Sequence, residues 1–519
     1  MSGARAGDKV PHRALITVCA MIATLMQALD STIANVALPY MQGSLSASPD
    51  QITWVLTSYI VAAAIMTAPV GWLAARFGRK NLFVLCLVGF TAASMLCGVA
   101  QSLPQMVVFR LLQGVFGAAL VPLSQAVMLD IYPPEQRGSA MAIWGVGVMV
   151  GPILGPTLGG YLTDVYNWRW VFFVNLPFGI LAVAGLAIFM PRAERNPGLS
   201  FDWTGFAVLA LGIGALQLML DRGQDQDWFS SGEIITETVL AGLGIYLFLV
   251  HLMTSEKPFI APRIFKDRNY SASLAMMFSV GVVLLATSAL LAPWLQNLGG
   301  YPVATAGLVM APRGIGTMAA MMLSGRLSSR VDPRLLMGIG IVLLVWSLYA
   351  ATGWTPDIGA KQLILTLMVQ GAALGFVFIP LQVVAFATLP PAMRTDGASL
   401  LSLFRNVGSA IGVSITSSML AYNVQVNHAE LGAYINPFNR ALQGGGMVSR
   451  ILNPQTSAGA RILDGMINNQ AQIIGYMDDY KLMIWTTLPT LALLFIMRRP
   501  ATPPRGAAKP DDGHAAVLD

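Results

Sequence analysis

The stretch that decides the reading is Gly147-Val-Met-Val-Gly151-Pro152-Ile-Leu-Gly155-Pro156-Thr-Leu-Gly159-Gly160. Glycines at 147, 151, 155 and 159 recur at every fourth position, so on a helix they fall along one slowly drifting stripe. A stripe without side chains lets a second helix approach to backbone contact, which is how small residues pack helices in lipid. Pro152 and Pro156 each remove a backbone donor and are expected to loosen the rod at mid-length. The segment predicts a membrane helix built for close packing and bending.

The surrounding chain supports a membrane location. Of 519 residues, 55% are hydrophobic and 11% charged, too apolar for a soluble protein of this length. About fourteen separate runs are apolar and of the length a bilayer crossing needs: 14–38, 52–74, 82–100, 106–129, 139–163, 171–190, 204–220, 234–253, 271–295, 305–327, 335–352, 362–387, 398–421 and 482–497. The runs at 204–220 and 482–497 are short for a span. With the N-terminus placed inside, about 21 Lys and Arg residues fall on the inner side and about 7 on the outer. This bias predicts an even number of crossings with both ends cytoplasmic, and it makes the +6 net charge a topology signal. Cys19, Cys86 and Cys97 all fall in spans, so no disulfide framework or metal spacing is expected, and the short basic N-terminus does not read as a removable signal peptide.

The two halves repeat. Gly71-Trp-Leu-Ala-Ala-Arg76 pairs with Gly325-Arg-Leu-Ser-Ser-Arg330, Gln113-Gly114 with Gln370-Gly371, and Pro122-Leu123 with Pro380-Leu381. Pro133-Pro134-x-x-Arg137 pairs with Pro390-Pro391-x-x-Arg394, and all four offsets are roughly 255 residues. The expected architecture is all-α and polytopic, with two six-helix bundles in parallel orientation plus two inserted helices. A cytoplasmic tail (1–13) precedes the first bundle (14–190), the inserted pair (204–253) and the second bundle (271–497). An outer segment (422–481) interrupts the second bundle, and a cytoplasmic tail (498–519) follows. The outer segment reads as a surface loop or as a docking platform for a periplasmic partner. It carries glycines at 444–446 and a helical pattern at Ile462, Met466 and Ile473.

Charge inside spans marks the candidate site. Asp30 lies about 16 residues into the first run, where an unpaired carboxylate is costly. Two readings are open: a proton-exchanging acid, or a local cap for Ser31, Thr32 and Asn35. Arg110 sits roughly 9 Å of helix rise inside the outer end of its run and Asp30 roughly 14 Å inside its own. They could pair directly or through water, or Arg110 could hold backbone carbonyls and lock packing. Arg313 and Arg405 pose the same question, and Arg405 could instead anchor near an interface. The loop from Gly71 through Arg76, Gly78 and Arg79 to Lys80 carries glycines for a tight turn and three cations. These could latch to Asp130 as a cytoplasmic gate or serve topology alone. Gln27, Trp54, Tyr59 and Gln113, with Gln125, Met21, Met26 and Met128, suit either a roomy substrate cavity or ordinary core, and Arg405 joins them as a cavity candidate.

These motifs resemble the major facilitator superfamily, and their combination is similar to its fourteen-spanning drug:proton antiporters, the EmrB-like multidrug exporters. Leu29-Asp-Ser-Thr-Ile-Ala-Asn-Val-Ala37, Trp170-Val-Phe-Phe-Val-Asn-Leu-Pro177, Leu220-Asp-Arg-Gly223, Asp227-Trp-Phe-Ser-Ser231 and Asn436-Pro-Phe-Asn439 carry the likeness, which spans all but the tails. The resemblance implies that Gly147–Gly160 is an antiporter motif and Gly71–Lys80 a gating motif. It also places Arg110 in a proton-coupling motif and Asp30 in a first-span acidic motif. It implies proton-driven multidrug efflux by alternating access from a Gram-negative inner membrane, with protons as coupling ion, no cofactor and a role in antibiotic resistance. Small-molecule drugs, an EmrA-like periplasmic adaptor and an outer-membrane channel are the implied partners. One departure is Ala75, where the gating loop usually carries an acid, so Arg76 or Arg79 with Asp130 would hold the gate.

The competing expectations are a proton-coupled exporter or symporter of a specific metabolite or siderophore with the same fold, and a membrane enzyme or sensor. Against an enzyme, His12, His251, His428 and His514 are scattered, and no phosphate-binding glycine loop with its Lys-Ser/Thr occurs.

Overall fold

The computed structural model describes residues 11–191, 195–328, 330–436 and 451–498, and among these the chain is helical with no strand. The first half contains α1 (Arg13–Ser44), α2 (Pro49–Ile52), α3 (Trp54–Thr67), α4 (Val70–Phe77), α5 (Arg79–Val99), α6 (Leu103–Gly117), α7 (Leu120–Ile131), α8 (Arg137–Val165), α9 (Trp170–Phe173) and α10 (Asn175–Phe189). Between the halves stand α11 (Trp203–Arg222) and α12 (Gly232–Thr254). The second half contains α13 (Arg268–Pro293), α14 (Val303–Leu327), α15 (Pro333–Ala351), α16 (Ala360–Ala387), α17 (Arg394–Gly432), α18 (Ser457–Thr487) and α19 (Thr490–Ile496).

Eleven helical segments among the described residues are long and apolar enough to cross a bilayer, or twelve when α3 and α4, bent by 60°, count as one. The bend falls at Ala68-Pro69, where proline cannot supply a backbone donor. The run at 204–220 is a full 20-residue helix, Trp203–Arg222, and is among the eleven. The expected crossings 139–163 and 482–497 fall in α8 and in α18–α19, which are not. The last of these needs correction, because its helix starts at Ser457 and breaks at Leu488-Pro489. Pro152 and Pro156 lie within α8, which runs helical through both rather than parting there.

Both described chain ends lie at one end of the bundle, here called the basic end. The Arg13 guanidinium stacks over Tyr132, two residues past Asp130, and Arg394 bonds Asp130 at 2.9 Å. Tyr270 donates to the Gly397 carbonyl at 2.8 Å, and its neighbour Asn269 holds the backbone of Arg498.

The sequence repeat is realised in three dimensions. Gly114 on α6 takes α3 at the Tyr59 carbonyl, where an added Cβ would stand 2.5 Å away. Gly371 on α16 takes α14 in the same way, against the Arg313 carbonyl and Thr317. A 3-10 turn at Pro134–Gln136 leads into α8, and one at Pro391–Met393 leads into α17. The inserted pair packs glycine on glycine: a Cβ on Gly244 would stand 2.5 Å from the Gly212 nitrogen. Its base is closed by Asp202, which caps α11 at Gly205 and meets His251 at 2.9 Å. Its other end docks on α3 through a Thr57–Asp221 hydrogen bond.

The outer segment is not a plain loop. Residues 437–450, with the glycines at 444–446 and most of Asn436–Asn439, lie outside the described residues, but what flanks them is helix. At 39 residues α17 is roughly 58 Å long, about twice the hydrocarbon thickness, so it must project from the membrane. α18 returns alongside it. A Cβ on Gly475 would lie 3.1 Å from Leu420, and His428 meets Asp464 at 2.9 Å. Paired Leu420→Cys and Gly475→Cys should therefore crosslink on mild oxidation, read as a mobility shift on non-reducing gels. Failure to crosslink would contradict this register, since Cys19, Cys86 and Cys97 are buried and do not compete.

Candidate functional site

α1 is gripped on two faces. On one face lies the glycine stripe of α8. A Cβ on Gly151 would stand 2.6 Å from Ala28 Cβ and 2.7 Å from the Leu29 nitrogen, and one on Gly147 would stand 3.3 Å from Met21. Gly155 lies against Thr32 and Ile33, and Gly159 against Ile33. The stripe thus packs on the helix that carries Asp30. Gly160 does not share this role, since nothing lies within 4 Å of a Cβ there; one residue past Gly159, it is turned about 100° away.

On the other face α1 presents Asp30 to α6 and α10. Arg110 Nη1 donates to Asp30 Oδ2 at 2.7 Å, and Gln113 Nε2 to Asp30 Oδ1 at 2.8 Å. Asn175 Nδ2 adds a longer contact to Oδ1 at 3.4 Å and donates to Ser94 at 3.0 Å. Arg110 also donates to the Gln113 side-chain oxygen at 2.8 Å and, through Nε, to the Val55 carbonyl at 3.0 Å, and it lies 4.3 Å from the centre of the Tyr59 ring. Asp30, Arg110 and Gln113 are all 0% exposed. The pair is direct, and every strong donor around the carboxylate is accounted for.

Several expectations change here. Ser31 and Thr32 bond the Ala28 and Leu29 carbonyls, so Asp30 is not their cap. The ion pair draws Gln113 and Tyr59 into the core, where both are buried, while Gln27, Trp54 and Arg405 remain half-buried. Gln27 donates to the Tyr59 hydroxyl at 3.3 Å, and Trp54 lies under the Arg222 guanidinium. Arg405 sits eleven residues into α17 and, among the described residues, makes 3.5 Å contacts to Ser402 and Asn406. Asn175 and Ser94 join the site without having stood out in the sequence. The only signal for Asn175 was one amide in the apolar stretch 170–177.

At the basic end a second cluster joins the halves. Asp130 accepts from Arg79 on one oxygen and from Arg394 at 2.9 Å on the other, while Arg79 reaches the Pro391 carbonyl at 3.0 Å. Arg76 is not part of it. It is drawn to the Pro197 and Leu199 carbonyls of the segment following α10. The unexpected member is Arg394, visible in sequence only as the repeat partner of Arg137. Gly78, at φ +86°, makes the turn that presents Arg79. Gly71 leaves room for the Asp396 side chain of α17, and a Cβ on Gly138 would stand 2.7 Å from the Gly325 carbonyl. Ala75 is exposed, and its carbonyl is held by the Asn196 amide at 2.9 Å. At mid-depth Gln125 bonds Gln382, and Trp144 stacks on Phe378 at 6.2 Å. The basic end is closed.

Two helical bundles with a buried ion pair in one of them and a closed cross-bundle contact at one end define a multi-pass membrane transporter fold. The Major Facilitator Superfamily model matches residues 20–413, and the chain belongs to that family. It is 37% identical over 506 residues to "Multidrug export protein EmrB" of Escherichia coli (strain K12), covering 95% of this chain and 96% of that protein. It is 36% identical to "Fatty acid resistance protein FarB" of Neisseria gonorrhoeae, covering 89% and 91%. The crystal structure of the human organic anion transporter MFSD10 (TETRAN) shares the fold, with TM-score 0.58, 15% identity and coverage of 92% and 100%.

Two tests follow from this geometry. Gly151→Ala should destabilise by about 1–3 kcal/mol through overpacking, whereas Gly160→Ala should leave the unfolding midpoint unchanged; equal midpoints would place the stripe away from α1. Asp130→Asn should release the basic end. Its ion pairs are partly exposed and worth about 0–1 kcal/mol each, so the open population should rise roughly fivefold. Spin labels on Glu135→Cys and Ala392→Cys would read this as a second, longer distance, and an unchanged distribution would assign closure to the glycine contacts alone.

Proposed function

We propose that this chain is a proton-coupled multidrug efflux transporter that exchanges protons for hydrophobic or amphipathic drugs by alternating access. The carrying observation is the buried Asp30–Arg110 pair. A proton on Asp30 removes the anion that offsets Arg110 and weakens the hold of α6 on α1. The opposite face of α1 lies on the α8 stripe, and the basic-end half of α8 lies on α14 at Gly138–Gly325. A loosened α1 therefore bears directly on the helix that joins the halves. One charge crossing a 100 mV potential supplies about 2.3 kcal/mol before any pH gradient is added.

In this reading the basic end is cytoplasmic, the membrane is the inner membrane of a Gram-negative bacterium, and the structure is the outward-facing form. Asp130, Arg79 and Arg394 form the cytoplasmic gate, and the α8 stripe acts as the antiporter motif. The projecting α17–α18 pair serves as platform for an EmrA-like periplasmic adaptor leading to an outer-membrane channel. Fourteen crossings, with α8 and α18–α19 among them, complete the topology. The names of the multidrug and fatty-acid resistance relatives support amphipathic, membrane-soluble cargo.

Everted vesicles test the coupling. Adding drug should alkalinise the lumen in the wild type and leave it unchanged with Asp30→Asn. That variant leaves Arg110 charged and buried, at a cost of about 3 kcal/mol. Combining it with Arg110→Gln should restore the unfolding midpoint but not transport. Undiminished alkalinisation by Asp30→Asn would remove Asp30 from the mechanism.

A further inference from the structure

The second half contains a buried carboxylate that the mechanism above does not use. Asp479, on α18, is 0% exposed, and neither of its oxygens has a hydrogen-bond partner. It contrasts with Asp30, whose oxygens receive three donors. Asp479 lies in an aromatic setting. Tyr476 and Tyr480, on the same helix, are buried, and Tyr480 meets the ring of Trp354 at 5.7 Å. The Trp354 indole nitrogen is itself buried without a partner. The pairings 428 with 464 and 420 with 475 set the register of α17 against α18, and they put Asp479 level with Ser414, whose hydroxyl is likewise buried and unpartnered.

Among the described residues no cation pairs with it. On its own helix Asp478 is bound to Lys481 at 2.9 Å. From α14, Arg313 faces Tyr480 but gives its hydrogen bonds to Ser288, Thr287 and the Leu284 carbonyl. On the helices packed against α18, Arg334 is held by Asp332, His428 by Asp464 and Arg394 by Asp130, Arg405 lies nine residues before Ser414 on α17, and Arg268 starts α13 at the basic end. An ionised carboxylate in that position would be uncompensated in an apolar interior, and such a group takes up a proton instead.

We propose that Asp479 is a second proton-binding site, occupied while the basic end is closed and emptied on the opposite stroke. Each half would then carry one exchanging carboxylate: Asp30 between α1 and α6, and Asp479 on α18. The helices α18–α19 pack on α13 and α15 as α10 packs on α1 and α5, so the second acid occupies the counterpart of the helix that gives Asn175 to the first. The role in transport rests on the proton-driven reading above; occupancy by a proton does not.

Infrared pH titration of the purified chain in phosphatidylethanolamine–phosphatidylglycerol vesicles separates the two. At neutral pH the wild type should show the carbonyl stretch of a protonated carboxylic acid. Asp479→Asn should lose it, Asp479→Glu should keep it at a shifted position, and Asp30→Asn should not remove it. Asp479→Asn is isosteric and removes only the titrating group, so its unfolding midpoint should be unchanged or raised. A wild type without that band, or a band untouched by Asp479→Asn, overturns the proposal. In proteoliposomes Asp479→Asn should halve the protons moved per drug exported, and an unchanged ratio also overturns it. If the wild type moves no protons with drug, the proton-driven reading fails, and exchange at Asp479 fails with it even where the infrared band is present.

Discussion

The structure depends on one constraint: a carboxylate and a guanidinium, both fully buried, must neutralise each other between α1 and α6. Neither could remain there alone at acceptable cost. Gln113, Asn175, the Val55 carbonyl and the Tyr59 ring all converge on the pair, so four helical segments, α1, α3, α6 and α10, are held in register by one charge contact.

Small residues turn that local event into a structural one. The stripe from Gly147 to Gly159 brings the backbone of α8 against α1, on the face opposite Asp30. Further along, Gly138 and Gly325 bring α8 against α14 across the two halves. Close backbone contact leaves little slack for a shift of α1 to be absorbed by side-chain rearrangement. The basic-end cluster of Arg79, Asp130 and Arg394 adds a polar contact that water can compete for, which suits a contact that must open and close.

The two halves are copies in backbone and not in chemistry. Gly114 and Gly371 make the same close approach, to Tyr59 and to Arg313, and paired 3-10 turns start α8 and α17. Yet the first half pairs its buried acid with an arginine, whereas the second leaves Arg313 on hydroxyls and a carbonyl and Asp479 without a partner. A shared scaffold thus places a buried carboxylate in each half in surroundings the other half does not reproduce.

The sequence by itself determined the helical membrane architecture, the repeat, the inserted pair, the charges Asp30 and Arg110 within spans and the glycine stripe. Those features are written in local periodicity, in run length and in the cost of charge within apolar runs, all of which are readable one segment at a time. It did not determine which residues meet. That Gln113 and Asn175 complete the Asp30 site, that Arg394 and not Arg76 holds Asp130, and that the outer segment is built on two paired helices follow from how distant helices pack. An amide in an apolar run looks the same whether it lines a cavity or binds a carboxylate. Only the tertiary structure decided between them, because a buried polar group is defined by its partner, and the partner here comes from another helix.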